Sequence, residues 1–337
     1  MRGNSYGNNL VLTSFGESHG VALGAVVDGV PAQIEISEDD FRHDLARRRP
    51  GQSGVTTSRN EADEPEILSG IFEGQTLGTP IAVLIRNKDH KSDEYDKEYK
   101  RPGHAETAWE HKYGIRDYRG GGRASGRETI ARVIGGTIAK KILPKDLQIH
   151  GFTRKICGIE AENIPQELST ETIDANSVRC PDSAAAKKME ELILEAKESG
   201  DSLGGIAELR ITGVPAGLGE PTFRKAKSEL AAAMMSVGAV STVSLGLREE
   251  EFELPGSVFH VPLKAGIAMR SHGIQGGITN GEPITLYVFI KPPSTTGSMA
   301  TKGRHDPCIL PRVIPVLEAM AAFTLADLFL SARMDRL

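Results

Sequence analysis

Three polar, glycine-flanked segments lie far apart along this chain. They are GESHG at Gly16–Gly20, a basic stretch from Arg101 to Arg132, and KGRHDPC at Lys302–Cys308. Packing of an apolar core needs none of them. If they serve one site, residues near both chain ends must meet. That favours one large α+β domain over 1–337 rather than two independent units. With 337 residues the chain is long enough to bury a large core.

Apolar periodicity supports a mixed architecture. Leu10–Thr13, Ala22–Val27, Ile81–Ile85, Ile206–Ile211, Val240–Leu245 and Ile284–Ile290 read as strands. Ser37 to Arg49 reads as a helix opened by the capping pair Ser37 and Asp40. A second helix is expected from Ser125, where Ser125 and Glu128 have capping-box spacing and Ile130, Val133, Ile134, Ile138 and Ile142 mark one face. Ala184–Ser199, Phe223–Met235 and Arg312–Leu330 also read as helices, while the polar stretch 160–182 reads as a surface excursion. Strands and helices do not alternate strictly, so a doubly wound parallel sheet is not expected.

Composition narrows the function. A hydrophobic share of 39% with 25% charged residues is globular rather than disordered. A net charge of −5 argues against a nucleic-acid partner. Cys157, Cys180 and Cys308 form no C-x-x-C pair, which suits a reduced, cytoplasmic setting. The start MRGNSYGNNL has no leader pattern, although an organellar leader could have been trimmed. No run is read as approaching the ~20 apolar residues of a membrane span.

The RGGGRASGRE stretch reads as a loop feeding a helix, where free N–H groups and glycine backbone favour an anion. Arg119, Arg123 and Arg127 add fixed charge; the alternative is a turn whose arginines pair with Asp117 and Glu128. Arg47-Arg48-Arg49 alone reads as a solvated helix C-terminus, and together with the other arginines as an anion clamp. His19 and His104 sit in glycine-flanked turns and are candidates for proton transfer. Ser18 completes a bare G-x-S-x-G, but Val21–Val30 reads as a strand, whereas a nucleophile elbow needs a helix there. No H-x-x-x-H or Cys/His cluster suggests a metal. Asp306 is a candidate base or the cap of the last helix, and Arg304 suits bidentate binding of carboxylate or phosphate.

These motifs together resemble the chorismate synthase family almost end to end. The resemblance rests on FGESHGVALGAVVDGVPA (Phe15–Ala32), RRRPGQS (Arg47–Ser53), RPGHAE (Arg101–Glu106), YGIRDYRGGGRASGRETIARVIGG (Tyr113–Gly136), GGITNGEPI (Gly276–Ile284) and KGRHDPCILPR (Lys302–Arg312). It implies a β-α-β sandwich of antiparallel sheets around helices, assembled as a homotetramer. The activity it implies is a carbon–oxygen lyase of the shikimate pathway, eliminating phosphate from 5-enolpyruvylshikimate 3-phosphate with reduced FMN and no net redox change. NADPH or an external flavin reductase would serve only to keep the flavin reduced.

By the same resemblance His19 would protonate the flavin and His104 would assist the departing phosphate. Asp306 with Ser18 would help the flavin N5 accept the substrate proton. Arg48, Arg101, Arg127, Arg304 and Arg59 would bind substrate. Arg123, Ala124, Ser125, Gly238, Ala239, Gly276, Lys291, Pro292, Pro293, Ser294, Thr295 and Arg304 would contact flavin. Two departures stand out: Gly54 replaces an arginine common in relatives, and the stretches 249–262 and 291–303 look short. A flavin oxidoreductase sharing the pocket and a nucleic-acid module built on Arg47–Arg49 are the competing readings.

Overall fold

The structure, a computed structural model, describes residues 3–51, 55, 62–88, 97–98, 100–264, 266–297 and 305–335. Gly54, Arg59 and Arg304 lie outside the described residues.

Among the described residues two five-stranded antiparallel sheets dominate. The first contains β1 (Ser5–Tyr6), β2 (Val11–Gly16), β3 (Ala22–Asp28), β4 (Pro65–Ser69) and β5 (Ile81–Arg86), in the order β1-β2-β3-β5-β4. The second contains β6 (Gln148–Ile156), β7 (Ile159–Glu160), β8 (Gly205–Thr212), β9 (Val240–Ser244) and β10 (Ile284–Ile290), in the order β9-β10-β8-β6-β7. Period-two burial sets their faces. Ile81, Val83 and Ile85 point inward from one sheet, and Ile284, Leu286, Val288 and Ile290 from the other.

The helices of eight residues or more are α1 (Glu38–Arg48), α2 (Glu106–Tyr113), α3 (Thr129–Ile142), α4 (Ser183–Ser199), α5 (Ala226–Met235) and α6 (Leu310–Ala332). Helix α3 lies on β2 and β3, α6 lies on β6 and β8, and the two helices pack on each other. The expected sandwich of antiparallel sheets around helices is therefore present. Glycine makes the central contact close: a Cβ on Gly136 would stand 2.3 Å from the Ala319 Cβ and 2.5 Å from its Cα. Two helical glycines, Gly135 and Gly136, sacrifice intrinsic helix stability for that approach.

Helix α6 corrects the sequence reading of membrane spans. It is 23 residues long and contains an 18-residue window of mean hydropathy 1.9, long and apolar enough to cross a bilayer, but 89% of that window is buried inside the protein. Pro315 inside this helix has no N–H for the carbonyl of Pro311 four residues back. Arg179 Nη1 donates to that carbonyl instead, while its Nη2 reaches Arg47 O at 2.8 Å. One guanidinium thus ties the end of α1 to the start of α6.

Other boundaries shift for local reasons. Two short 3₁₀ turns, Gly122–Ala124 and Gly126–Glu128, precede α3, which begins at Thr129 rather than Ser125. Ser125 Oγ accepts from Arg127 N, and Glu128 turns to Arg132 instead of reaching back. In α1 half of the capping box forms, with Asp40 Oδ2 accepting from Ser37 N at 2.8 Å. Helix α5 starts at Ala226, because Arg224 has φ +56 and Phe223 is exposed. The expected excursion is exposed over 165–167, but Ile173, Val178, Arg179 and Cys180 are buried.

Candidate active site

The GESHG turn joins β2 to β3, so a strand leaves it and no hydrolase elbow is formed. Ser18 and His19 are both buried, with Ser18 Oγ 3.0 Å from His19 Nδ1. The triple glycine supplies the floor against which both candidate histidines pack. Gly120 has φ +61, and a Cβ there would stand 2.0 Å from His19 Cε1. Gly121 has φ +88, and a Cβ there would stand 3.0 Å from His104 Cε1 and 3.1 Å from Arg101 Nη2. Adjacent Cα atoms are ~3.8 Å apart, so the two imidazoles meet on neighbouring residues of one loop.

His104 lies in a cationic setting. Arg101 Nη2 is 3.2 Å from His104 Nε2 and also bonds Glu106 Oε1 at 2.8 Å. A guanidinium N–H can only donate, so the facing imidazole nitrogen carries a lone pair. Burial first, and then Arg101, push the His104 pKa down to about 4, with Glu106 opposing. Burial and Arg101 also lower His305, with Asp306 opposing. This places the C-terminal segment beside the Arg101 turn.

The arginines divide into two groups. Arg48 is 1% exposed, and its Nε, Nη1 and Nη2 have no hydrogen-bond partner among the described residues. Its nearest counter-charge is Asp63 Oδ2, 3.5 Å from Nη2. Burial, aided by Arg312 and Arg127 and opposed by Asp63, lowers Arg48 to about 9, which leaves it cationic at neutral pH. Arg127 Nη1 donates to Asp63 Oδ1 at 2.9 Å and Nη2 to Asn87 Oδ1 at 3.0 Å; its Nε has no partner among the described residues. Asn87 Nδ2 in turn holds Glu17 O and Gly20 O, at 3.1 and 2.7 Å, so these arginines are linked to the His19 turn.

Arg47 belongs to the second group. It is buried rather than solvated at the end of α1 and pairs with Asp174 and Glu318. It lines a separate cavity of about 500 Å³ with Arg179 and Arg312, arginines that are themselves paired. Of the cluster only Arg49 is exposed. Asp306 pairs with Arg312 and does not cap α6, whose N-cap is Ile309. Arg119 pairs with Asp117 as in the simple-turn reading, whereas Arg123 donates to Gly16 O at 3.0 Å and to Ser14 Oγ at 2.8 Å.

The residues expected around flavin converge only in part. Lys291 N donates to Ala239 O, Ser202 Oγ holds Pro293 O, and Ser294 faces Gly103. Arg132 reaches Ser236 Oγ and O, joining α3 to the Gly238–Ala239 turn. Backbone at Gly126 and Gly238 borders open space, since a Cβ there meets nothing within 4 Å. Ala124 and Ser125 belong to the paired 3₁₀ turns, and Thr295 is buried beyond Pro292 and Pro293. Gly276 O accepts from Lys225 Nζ at 3.0 Å, just before α5.

Asp63, Asn87, Glu106 and Arg312 escaped the residue-level reading. Asp63 and Asn87 sit among ordinary charged and strand-end residues, and no spacing marks them. Among the described residues no group of three or more His, Cys, Asp or Glu could hold a metal ion. Burial pushes the Cys180 and Cys308 thiols up to about 11 and about 12, far from nucleophilic thiolates.

Comparison with known proteins accords with this geometry. The chorismate synthase family model matches residues 10–330. Chorismate synthase of Rippkaea orientalis is 46% identical, covering 96% of each chain. That of Flavobacterium psychrophilum is 45% identical, covering 98% of each. That of Christiangramia forsetii aligns over 355 positions spanning this whole chain, so that relative carries residues without counterpart here. A crystal structure of chorismate synthase superposes with TM-score 0.78 at 33% identity, covering 97% of this chain and 93% of that one. The chain belongs to the chorismate synthase family.

Proposed function

We propose that the pocket floored by Gly120 and Gly121 performs the family's trans-1,4-elimination, converting 5-enolpyruvylshikimate 3-phosphate to chorismate and phosphate. The observation that carries this reading is the meeting of His19 and His104 on consecutive glycines, on a loop continuous with buried Arg127 and its neighbour Arg48. The substrate bears two carboxylates and a phosphate. Fixed guanidiniums are needed to offset that charge in a partly dehydrated site, and Arg48, Arg101 and Arg127 supply them.

Reduced FMN fits the open backbone at Gly126 and Gly238. Ser125, Ala239 and the Lys291–Thr295 run would hold it, and Arg123 would fasten the β2 end beside it. When bound, the reduced flavin supplies electron density as the C–O bond breaks.

The protein's own groups handle protons and charge. His104 is neutral without ligand because burial, and then Arg101, disfavour its charged form. A phosphate dianion reverses that field, so His104 takes a proton and donates it to the leaving oxygen. Ser18 fixes one ring nitrogen of His19 and leaves the other to hold a proton towards the pocket. Asp306, oriented by Arg312, would with Ser18 assist passage of the substrate's C6 proton to the flavin N5. NADPH or an external reductase regenerates the reduced cofactor, and the working assembly is a homotetramer.

The test is anaerobic turnover with chemically reduced FMN. Equal yields of chorismate and phosphate, with no net loss of reductant, are expected. Absence of both products defeats the proposal. Pyridine-nucleotide consumption in step with product turns the reading to an oxidoreductase.

A further inference from the structure

Asp63 is a carboxylate set between two cations that the proposed reaction reserves for substrate. Its side chain is 0% exposed. Oδ1 accepts from Arg127 Nη1 at 2.9 Å, whereas Oδ2 stands 3.5 Å from Arg48 Nη2 and has no hydrogen bond among the described residues. Its backbone sits at φ +52, in the left-handed region that aspartate enters more readily than most residues.

A purely structural ion pair would close. Arg48 has three buried nitrogens without a partner, and a carboxylate can accept two of them side by side at 2.7–2.9 Å. Here the carboxylate stands near enough to offset charge and too far to occupy the donors. The donors remain open to another anion, and the fixed negative charge opposes whatever anion takes them.

We propose that Asp63 sets the anion affinity of this site. Its charge keeps Arg48 and Arg127 together when no ligand is present and weakens their hold on phosphate, so that the released product can leave. This rests on the reading that Arg48 and Arg127 receive the substrate's anionic groups.

The sign of the effect separates this role from simple support. Loss of a structural strut would misplace the guanidiniums and weaken anion binding. Loss of a counter-charge strengthens it. Inorganic phosphate binding to the full-length, FMN-saturated protein is measured by calorimetry for wild type, Asp63→Asn and Arg48→Met. Asp63→Asn is expected to bind phosphate at least tenfold more tightly, with both KM and kcat lowered because product leaves slowly. Unchanged or weaker binding overturns the role of Asp63.

Equal phosphate binding by wild type and Arg48→Met instead overturns the underlying reading of the anion site, whatever Asp63→Asn does. If Asp63→Asn does not fold, the double variant Asp63→Asn, Arg127→Gln restores the local charge balance. It is expected to bind phosphate within threefold of wild type, and a loss beyond tenfold contradicts the proposal.

Discussion

Replacing Gly120 by alanine puts a methyl carbon 2.0 Å from His19 Cε1 and 2.3 Å from its Nδ1. Non-bonded carbons rest ~3.5–4.0 Å apart, so the imidazole must retreat by roughly 1.5 Å. A misplacement of ~1 Å at a reacting group costs on the order of 100-fold in rate. Alanine at φ +61 adds a backbone penalty of ~1–2 kcal/mol, which lowers stability without touching chemistry. Gly114→Ala separates the two effects. That residue caps α2 at φ +73, and its added Cβ meets nothing within 4 Å. Anaerobic single-turnover formation of chorismate, followed by absorbance, should fall about 100-fold in Gly120→Ala and stay near wild type in Gly114→Ala. Turnover of the two variants within threefold of each other would refute the claim that Gly120 positions His19.

Three further outcomes follow from the geometry. Calorimetry in buffers of different ionisation enthalpy should show proton uptake when a phosphate ligand binds near pH 6.5, and His104→Asn should abolish it. Stability should decline as pH falls from the ordinary histidine value of ~6.5 towards about 4, because the unfolded chain protonates where folded His104 resists. Above ~6.5 both states are neutral and His104 contributes no slope; His104→Asn should flatten the acid limb of melting temperature against pH. Arg179→Met should cost ~1–3 kcal/mol in denaturant unfolding, because it leaves the carbonyls of Pro311 and Arg47 without their donor, while Asp174 keeps Arg47.

Much of this architecture was legible in the sequence where one periodicity dominated. Ile81–Ile85 and Ile284–Ile290 are short apolar runs rich in β-branched and aromatic residues, and both are strands whose burial alternates. The start of α3 was less legible, because Gly120 and Gly121 answer to His19 and His104 and the residues after them fold into two 3₁₀ turns, Gly122–Ala124 and Gly126–Glu128, before the helix begins. The burial of Arg47 and Arg48 was invisible locally. It depends on Asp174, Glu318 and Asp63, which lie between 15 and 271 positions away in the chain. For α6 the sequence reading ran from Arg312 to Leu330, and the helix extends two residues further at each end, Leu310–Ala332. Pro311 sits in the first turn, and the carbonyl freed by Pro315 is taken by Arg179.

The account turns on where the substrate's phosphate rests. A crystal structure with oxidised FMN and 5-enolpyruvylshikimate 3-phosphate should place phosphate oxygens ~3 Å from a ring nitrogen of His104 and from a guanidinium of the Arg48–Arg127 pair, with His19 across the Gly120–Gly121 floor. Phosphate seated in the cavity of Arg47, Arg179 and Arg312 instead, with His19 and His104 away from the ligand, would contradict it.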